Sequence, residues 1–115
     1  MKPIVNGAYW LAAMLAAGVA AQAQAQDAVY ARNLASACFT CHGTDGRSVG
    51  NVPPALAGRD RGELLQILQD FKTGKRPATL MHQQAKGYTD EQLATIAGYF
   101  AGVARGPAAP APAAR

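Results

Sequence analysis

Cys38-Phe39-Thr40-Cys41-His42 is the stretch with the clearest chemistry. It reads C-x-x-C-H, the attachment pattern of a covalent c-type haem. Two thiols three positions apart fall on one side of a helical turn. From there both can bond to the vinyl groups of a single porphyrin, as thioethers. His42 follows directly and can give a ring nitrogen to the iron. Two plainer readings of the same residues fail. A thiol–disulfide motif calls for a surrounding βαβ pattern, and the chain has no convincing strand. A structural zinc needs four ligands, and the chain offers only Cys38, Cys41, His42 and His82, two of them adjacent in sequence.

A haem iron held by His42 needs something on its other face. Met1 and Met14 lie in the first two dozen residues, so Met81 is the only methionine further on. A lone methionine is commonly core filler. Met81 instead stands in a proline-containing loop, within Lys75 to His82 and between two helical patterns, where a chain folding back would reach the iron. Thioether sulfur favours the ferrous state and raises the potential. His82 is the rival sixth ligand, and is read as surface. A ligating histidine also needs its second ring nitrogen held by an acceptor, which orients the ring. In Asn51 to Gly58, Pro54 supplies a carbonyl with no N–H of its own. It is assigned to His42, and Leu56 to packing on the porphyrin.

The elements that must position these residues are helical. Ala28 to Ala37 reads as a first helix with Val29, Leu34 and Ala35 on its apolar side. Asp45-Gly46 marks a turn. Asp60 and Glu63 form a capping-box variant, opening a helix to about Lys72 with Leu64, Ile67, Leu68 and Phe71 as a buried core stripe, closed by Gly74. Thr89 and Gln92 form another capping box, followed by Leu93, Ile96, Ala97 and Phe100 on one face and an end near Gly102. Tyr99 is assigned a contact with the first helix. The expected fold is all-α, three to four helices around one covalent haem.

Residues 1–25 read as a secretion signal: Lys2 gives the positive start, Ala8 to Ala21 the apolar run, and Ala23-Gln24-Ala25 a small-x-small cleavage site. The run is shorter than the roughly 20 residues that cross a bilayer, so the mature chain, from about residue 26, is expected to have no stable membrane span. The expected compartment is the periplasm. Residues 26–104 form the haem domain. Residues 105–115 are a Pro/Ala-rich tail that cannot build a core and reads as a tether.

The formal charge of +4 is mild and loses one cation with Lys2. Lys72, Lys75, Arg76 and Lys86 are either a solvated face or a basic rim that steers an acidic redox partner. No basic run interleaved with aromatics appears, which argues against nucleic acid.

The C-x-x-C-H motif after a short helix, Pro54-Ala55-Leu56-Ala57-Gly58, and a methionine ahead of a capped last helix together resemble the class I cytochromes c. The likeness covers about Ala28 to Val103. Within that class, Asp70-Phe71-Lys72-Thr73-Gly74-Lys75-Arg76-Pro77-Ala78-Thr79-Leu80-Met81 and Ala85-Lys86-Gly87-Tyr88-Thr89-Asp90-Glu91 are similar to the cytochrome subunits of flavocytochrome c sulfide dehydrogenases. Many such subunits carry two haem domains; this chain shows one. The resemblance implies a non-catalytic electron acceptor beside an FAD-containing, sulfide-oxidising partner. The alternative is a free periplasmic shuttle to a terminal oxidase or another redox partner. The residues point the same way: an iron with six ligands has no open position for a substrate, so the chain should carry electrons rather than make bonds.

Overall fold

The computed structural model describes residues 7–50 and 52–106. Part of the segment expected to be a signal, residues 1–6, and most of the Pro/Ala tail lie outside the described residues. Among the described residues four α-helices follow one another: α1 (Gly7–His42), α2 (Arg61–Thr73), α3 (Met81–Lys86) and α4 (Asp90–Gly102), with one 3-10 turn at Thr44–Gly46. There is no strand among the described residues.

The chain divides into two compact units, residues 1–30 and 31–115. In the first, the described backbone from Gly7 onward is helical and residues 9–30 are exposed. Tyr9, Trp10, Leu11, Met14 and Leu15 are among its exposed large side chains. Helix α1 therefore begins far ahead of Ala28, where a helix is expected from the sequence, and continues past Ala37 through the whole C-x-x-C-H motif. Alanine-rich sequence explains the extension, since nothing between Gly7 and His42 breaks a helix: the segment has no proline and its two glycines are isolated. Val29, expected on the apolar side, is exposed. None of the described helices is long and apolar enough to cross a membrane.

In the second unit, α2 packs against both α3 and α4. Ala35, Leu64, Ile96, Ala97 and Phe100 form the buried cluster, with Leu34, Phe39, Leu56, Leu68 and Tyr99 packed around it. The four predicted apolar positions of α4 are all buried. Its start is fixed chemically. The Thr89 hydroxyl accepts from the Gln92 N–H at 3.2 Å, and the Gln92 side chain accepts from the Thr89 N–H at 2.9 Å. Thr89→Ala is expected to remove one half of this box and cost about 1 kcal/mol, read as a lower denaturant midpoint with an unchanged m-value.

The α2 box is only half made. The Asp60 carboxylate accepts from the Glu63 N–H at 2.9 Å. The Glu63 side chain does not return to the cap; it bonds the Arg59 guanidinium. A full positive charge one residue before the cap is a stronger partner for a carboxylate than a backbone N–H. At the other end, Gly74 takes a left-handed conformation, φ 79°, and its N–H returns to the Phe71 carbonyl, the termination that glycine makes without steric cost.

Two long-range contacts tie the turn after the motif to α4. The Tyr99 hydroxyl donates to Asp45, which also pairs with Arg32 at 3.3 Å. Burial, then the Asp45 carboxylate, push the Tyr99 pKa up. Tyr99 also stands 6.2 Å from Phe39 of α1, ring to ring, which is the contact expected for it. Gly46 is buried at φ 75°, and a Cβ there would meet the Phe100 ring at 2.8 Å and Leu56 at 3.0 Å. Only glycine allows this turn to lie against α4 while its carbonyl accepts from both Leu56 and Ala57.

Candidate haem site

The last turns of α1 carry Cys38, Cys41 and His42, and the first residue of α3 is Met81. All four line one cavity of about 570 Å³, within the usual range for cofactor pockets. Met81 is therefore the start of a helix rather than part of a loop. Pro77, three residues ahead of the Leu80 cap, breaks the chain, and the backbone resumes as helix once clear of it.

His42 is buried, and its Nδ1 lies 2.7 Å from the Pro54 carbonyl oxygen. A carbonyl can only accept, so Nδ1 carries the proton and donates. The neutral ring is then the tautomer whose Nε2 holds a free lone pair, the form that ligates a metal. The same region is anchored by Ser48, whose hydroxyl donates to the His42 carbonyl at 2.9 Å. Leu56 lines the cavity, and its N–H bonds to the Gly46 carbonyl at 2.9 Å.

Cys38 is half-buried and Cys41 exposed, and neither is in a disulfide. Burial pushes the Cys38 thiol up, and Cys41 beside it adds to the rise. Thiol–disulfide enzymes need the opposite, a lowered pKa and a ready thiolate. Among the described residues no three His, Cys, Asp or Glu side chains gather as a metal-ligand set. What the cavity does fit is a large apolar ring anchored through thiols, with a nitrogen donor from α1 and a sulfur donor from α3.

The structure revises two further expectations. The α2 stripe is not plain core: Leu64 is buried, but Ile67, Leu68 and Phe71 are partly buried and line the cavity together with it. Helical periodicity marks a face that leaves water and does not say whether protein or cofactor covers it. His82 is not a surface residue. It is partly buried, its Nδ1 is enclosed without a hydrogen-bond partner, and it does not line the cavity. Adjacent residues on a helix point about 100° apart, so α3 directs Met81 and His82 to different surroundings.

Some lining residues were not singled out from the sequence as site residues: Arg59, Arg76, Gln84 and Tyr88. The Tyr88 hydroxyl approaches the Leu34 carbonyl at 3.5 Å. Its pKa is raised, first by burial and then by Cys38. The four cations considered as a basic rim are partly engaged. Lys72 pairs with Asp90 at 2.8 Å, Lys75 with Asp70 at 3.7 Å, and Arg76 lies over the Phe71 ring at 5.5 Å.

The sequence profile described as Cytochrome c matches residues 27–104. This chain belongs to the cytochrome c family. It is 42% identical over 72 residues to the cytochrome subunit of sulfide dehydrogenase of Chlorobaculum tepidum, covering 63% of this chain and 64% of that protein. It is 42% identical over 86 residues to cytochrome c4 of Pseudomonas aeruginosa, covering 75% of this chain and 39% of that one. The chain thus spans less than two thirds of the length of either relative. Among solved structures, the Acidithiobacillus ferrooxidans cytochrome c4 superposes with a TM-score of 0.62 at 34% identity, covering 67% of this chain and 50% of that chain. Membership of this family makes covalently bound haem c the cofactor of the chain. The all-helical class I fold expected from the sequence is the one found.

Proposed function

We propose that this cytochrome works in the periplasm as a one-haem electron acceptor. Cys38 and Cys41 hold the haem as thioethers, and His42 and Met81 are its axial ligands. The observation that carries this reading is that α1 and α3 bring those four side chains to one cavity, with the His42 ring already oriented by Pro54. The haem supplies a reversible one-electron couple; the residues around it keep water away, fix the ring and tune the potential. The donor proposed is an FAD-containing, sulfide-oxidising flavoprotein that this chain accompanies as its cytochrome subunit. The likeness to the Chlorobaculum tepidum subunit supports that choice. A free periplasmic shuttle is the second reading, and the likeness to cytochrome c4 favours it. Residues 1–25 direct this export in the proposal and are then removed as a signal.

Purification from the native host tests all three levels. The expected material is red, low-spin and six-coordinate, begins near Gln26 by mass spectrometry, and retains a yellow flavoprotein through size exclusion. A chain that isolates alone and shows no affinity for a flavoprotein overturns the subunit reading in favour of the shuttle. A mature protein that still carries residues 1–25 overturns the signal assignment.

A further inference from the structure

A polar cluster outside the cavity ties the turn after the C-x-x-C-H motif to the last helix. Asp45 stands at its centre. Its carboxylate accepts from the Tyr99 hydroxyl of α4 and pairs with Arg32 of α1 at 3.3 Å and with Arg47 at 3.7 Å. None of these four residues lines the cavity. Asp45 has φ 55°, and among the described residues it is the only non-glycine at positive φ. Side chains other than glycine enter that region at a steric cost, which Asp bears better than most. Its side-chain partners keep it there.

We propose that Tyr99 and Asp45 are positioning residues for His42: their hydrogen bond fixes the Gly46 carbonyl, which holds the Pro54 carbonyl against the His42 ring and thereby sets the reduction potential. This rests on the reading that His42 ligates the iron of a haem in this cavity.

The connection can be followed bond by bond. Gly46 is next to Asp45, and its carbonyl accepts from the Leu56 N–H at 2.9 Å and the Ala57 N–H at 3.2 Å. Among the described residues it is the only backbone carbonyl to which residues 52–57 donate. Pro54 lies two positions ahead of Leu56, is itself exposed, and presents its carbonyl oxygen 2.7 Å from His42 Nδ1. A solvent-exposed acceptor stays on the ring only as firmly as its segment is anchored, and the anchor is Gly46. Tyr99 is well placed to hold the other end. Its ring is fixed edge-on to Phe100 at 5.3 Å and beside Phe39 at 6.2 Å, so its hydroxyl meets Asp45 from a rigid base. Arg32 and Arg47 are exposed ion pairs and hold Asp45 weakly.

The consequence for the iron has a definite sign. A histidine whose Nδ1–H is firmly held by an acceptor is a more basic ligand, and a more basic ligand favours ferric iron. Loosening Pro54 weakens that bond. Removing the Tyr99 hydroxyl should therefore raise the potential and expose the Nδ1–H to exchange with solvent.

The test is NMR and potentiometry on the haem-loaded protein. Tyr99→Phe keeps the ring and the net charge. It is expected to speed exchange of the His42 Nδ1–H by about tenfold. It should also move the ferric–ferrous balance about threefold toward ferrous, about 28 mV for one electron. Asp45→Ala should speed exchange as well, whereas in Asp45→Asn the amide oxygen still accepts from Tyr99 and exchange should stay within about threefold of wild type. Thr89→Ala weakens the start of α4 without touching the cluster, so it should move neither quantity. Exchange within about twofold of wild type in Tyr99→Phe, an unmoved or lowered potential, or an equal effect from Thr89→Ala overturns the proposal. If Tyr99→Phe does not take up haem, the two Asp45 variants decide, and equal exchange in both overturns it. Wild-type protein without covalent haem, or with a haem that lacks a histidine ligand, sinks the reading on which this rests. A six-coordinate low-spin spectrum with an unmoved Nδ1–H sinks only the role of Tyr99 and Asp45.

Discussion

Met81→Ala is expected to lower the reduction potential by on the order of 0.2 V, well inside the roughly 0.8 V range that axial ligation spans. The sign follows from the ligand: thioether sulfur stabilises ferrous iron, and its loss leaves the more ferric-favouring remainder. The size depends on nothing else replacing it. His82 is the only nearby nitrogen donor of that strength, and it lies off the cavity with its Nδ1 enclosed elsewhere. Bringing it to the iron would require α3 to turn by about 100°, and α3 is packed against α2. Alanine is a good helix former, so the six-residue helix should persist and the iron should gain an open position. The checks are a potentiometric titration, loss of the sulfur-to-iron charge-transfer band, and new binding of added imidazole. A wild-type potential in this variant would falsify Met81 as the ligand. A bis-imidazole spectrum without added imidazole would show that His82 can reach the iron after all.

The double variant Cys38→Ala with Cys41→Ala should lose covalent haem entirely and, with it, the folded state once the haem is extracted. The magnitude decides this. Without haem the domain would have to sustain about 570 Å³ of largely apolar space. At about 24 cal/mol per Å³ that is roughly 14 kcal/mol as an upper figure, at or beyond the whole stability of a small domain, about 5–15 kcal/mol. The protein core cannot offset it: among the described residues the largest fully buried side chains are Phe100, Leu93 and Ile96, and small domains of this kind depend on a staple. The measurement is acid–solvent extraction followed by far-UV circular dichroism. Wild type should keep its haem and most of its helical signal, while the double variant should release haem and lose that signal. Haem retained through extraction would show that the attachment is made elsewhere.

The site residues differ in how they could be read. Cys38, Cys41 and His42 sit within five residues, and their geometry is set by one helical turn, so local sequence carries it. The Thr89–Gln92 box and the Leu93, Ile96, Ala97, Phe100 face are local for the same reason, and α4 is built as expected. The Asp60–Glu63 box failed halfway because a neighbouring side chain, Arg59, outcompeted the backbone for Glu63. Four-residue patterns do not register that competition. The α2 stripe gave the right face with the wrong neighbour, since apolar periodicity reports exclusion from water and is silent about what does the excluding.

From the sequence alone came the chemistry: a haem-attachment motif, a solitary methionine beyond it, helical periodicity between them, and the Pro54 carbonyl as partner for His42. These rest on covalent spacing and side-chain inventory, which folding does not alter. The tertiary structure alone decided that Met81 opens a helix while His82 turns away, that Tyr99 reaches Asp45 across 54 positions, and that, among the described residues, Arg59 and Arg76 are the charged ones at the cavity wall. Each of these is a meeting of residues distant in sequence, and such meetings are fixed by how helices pack, through contacts that no local pattern encodes.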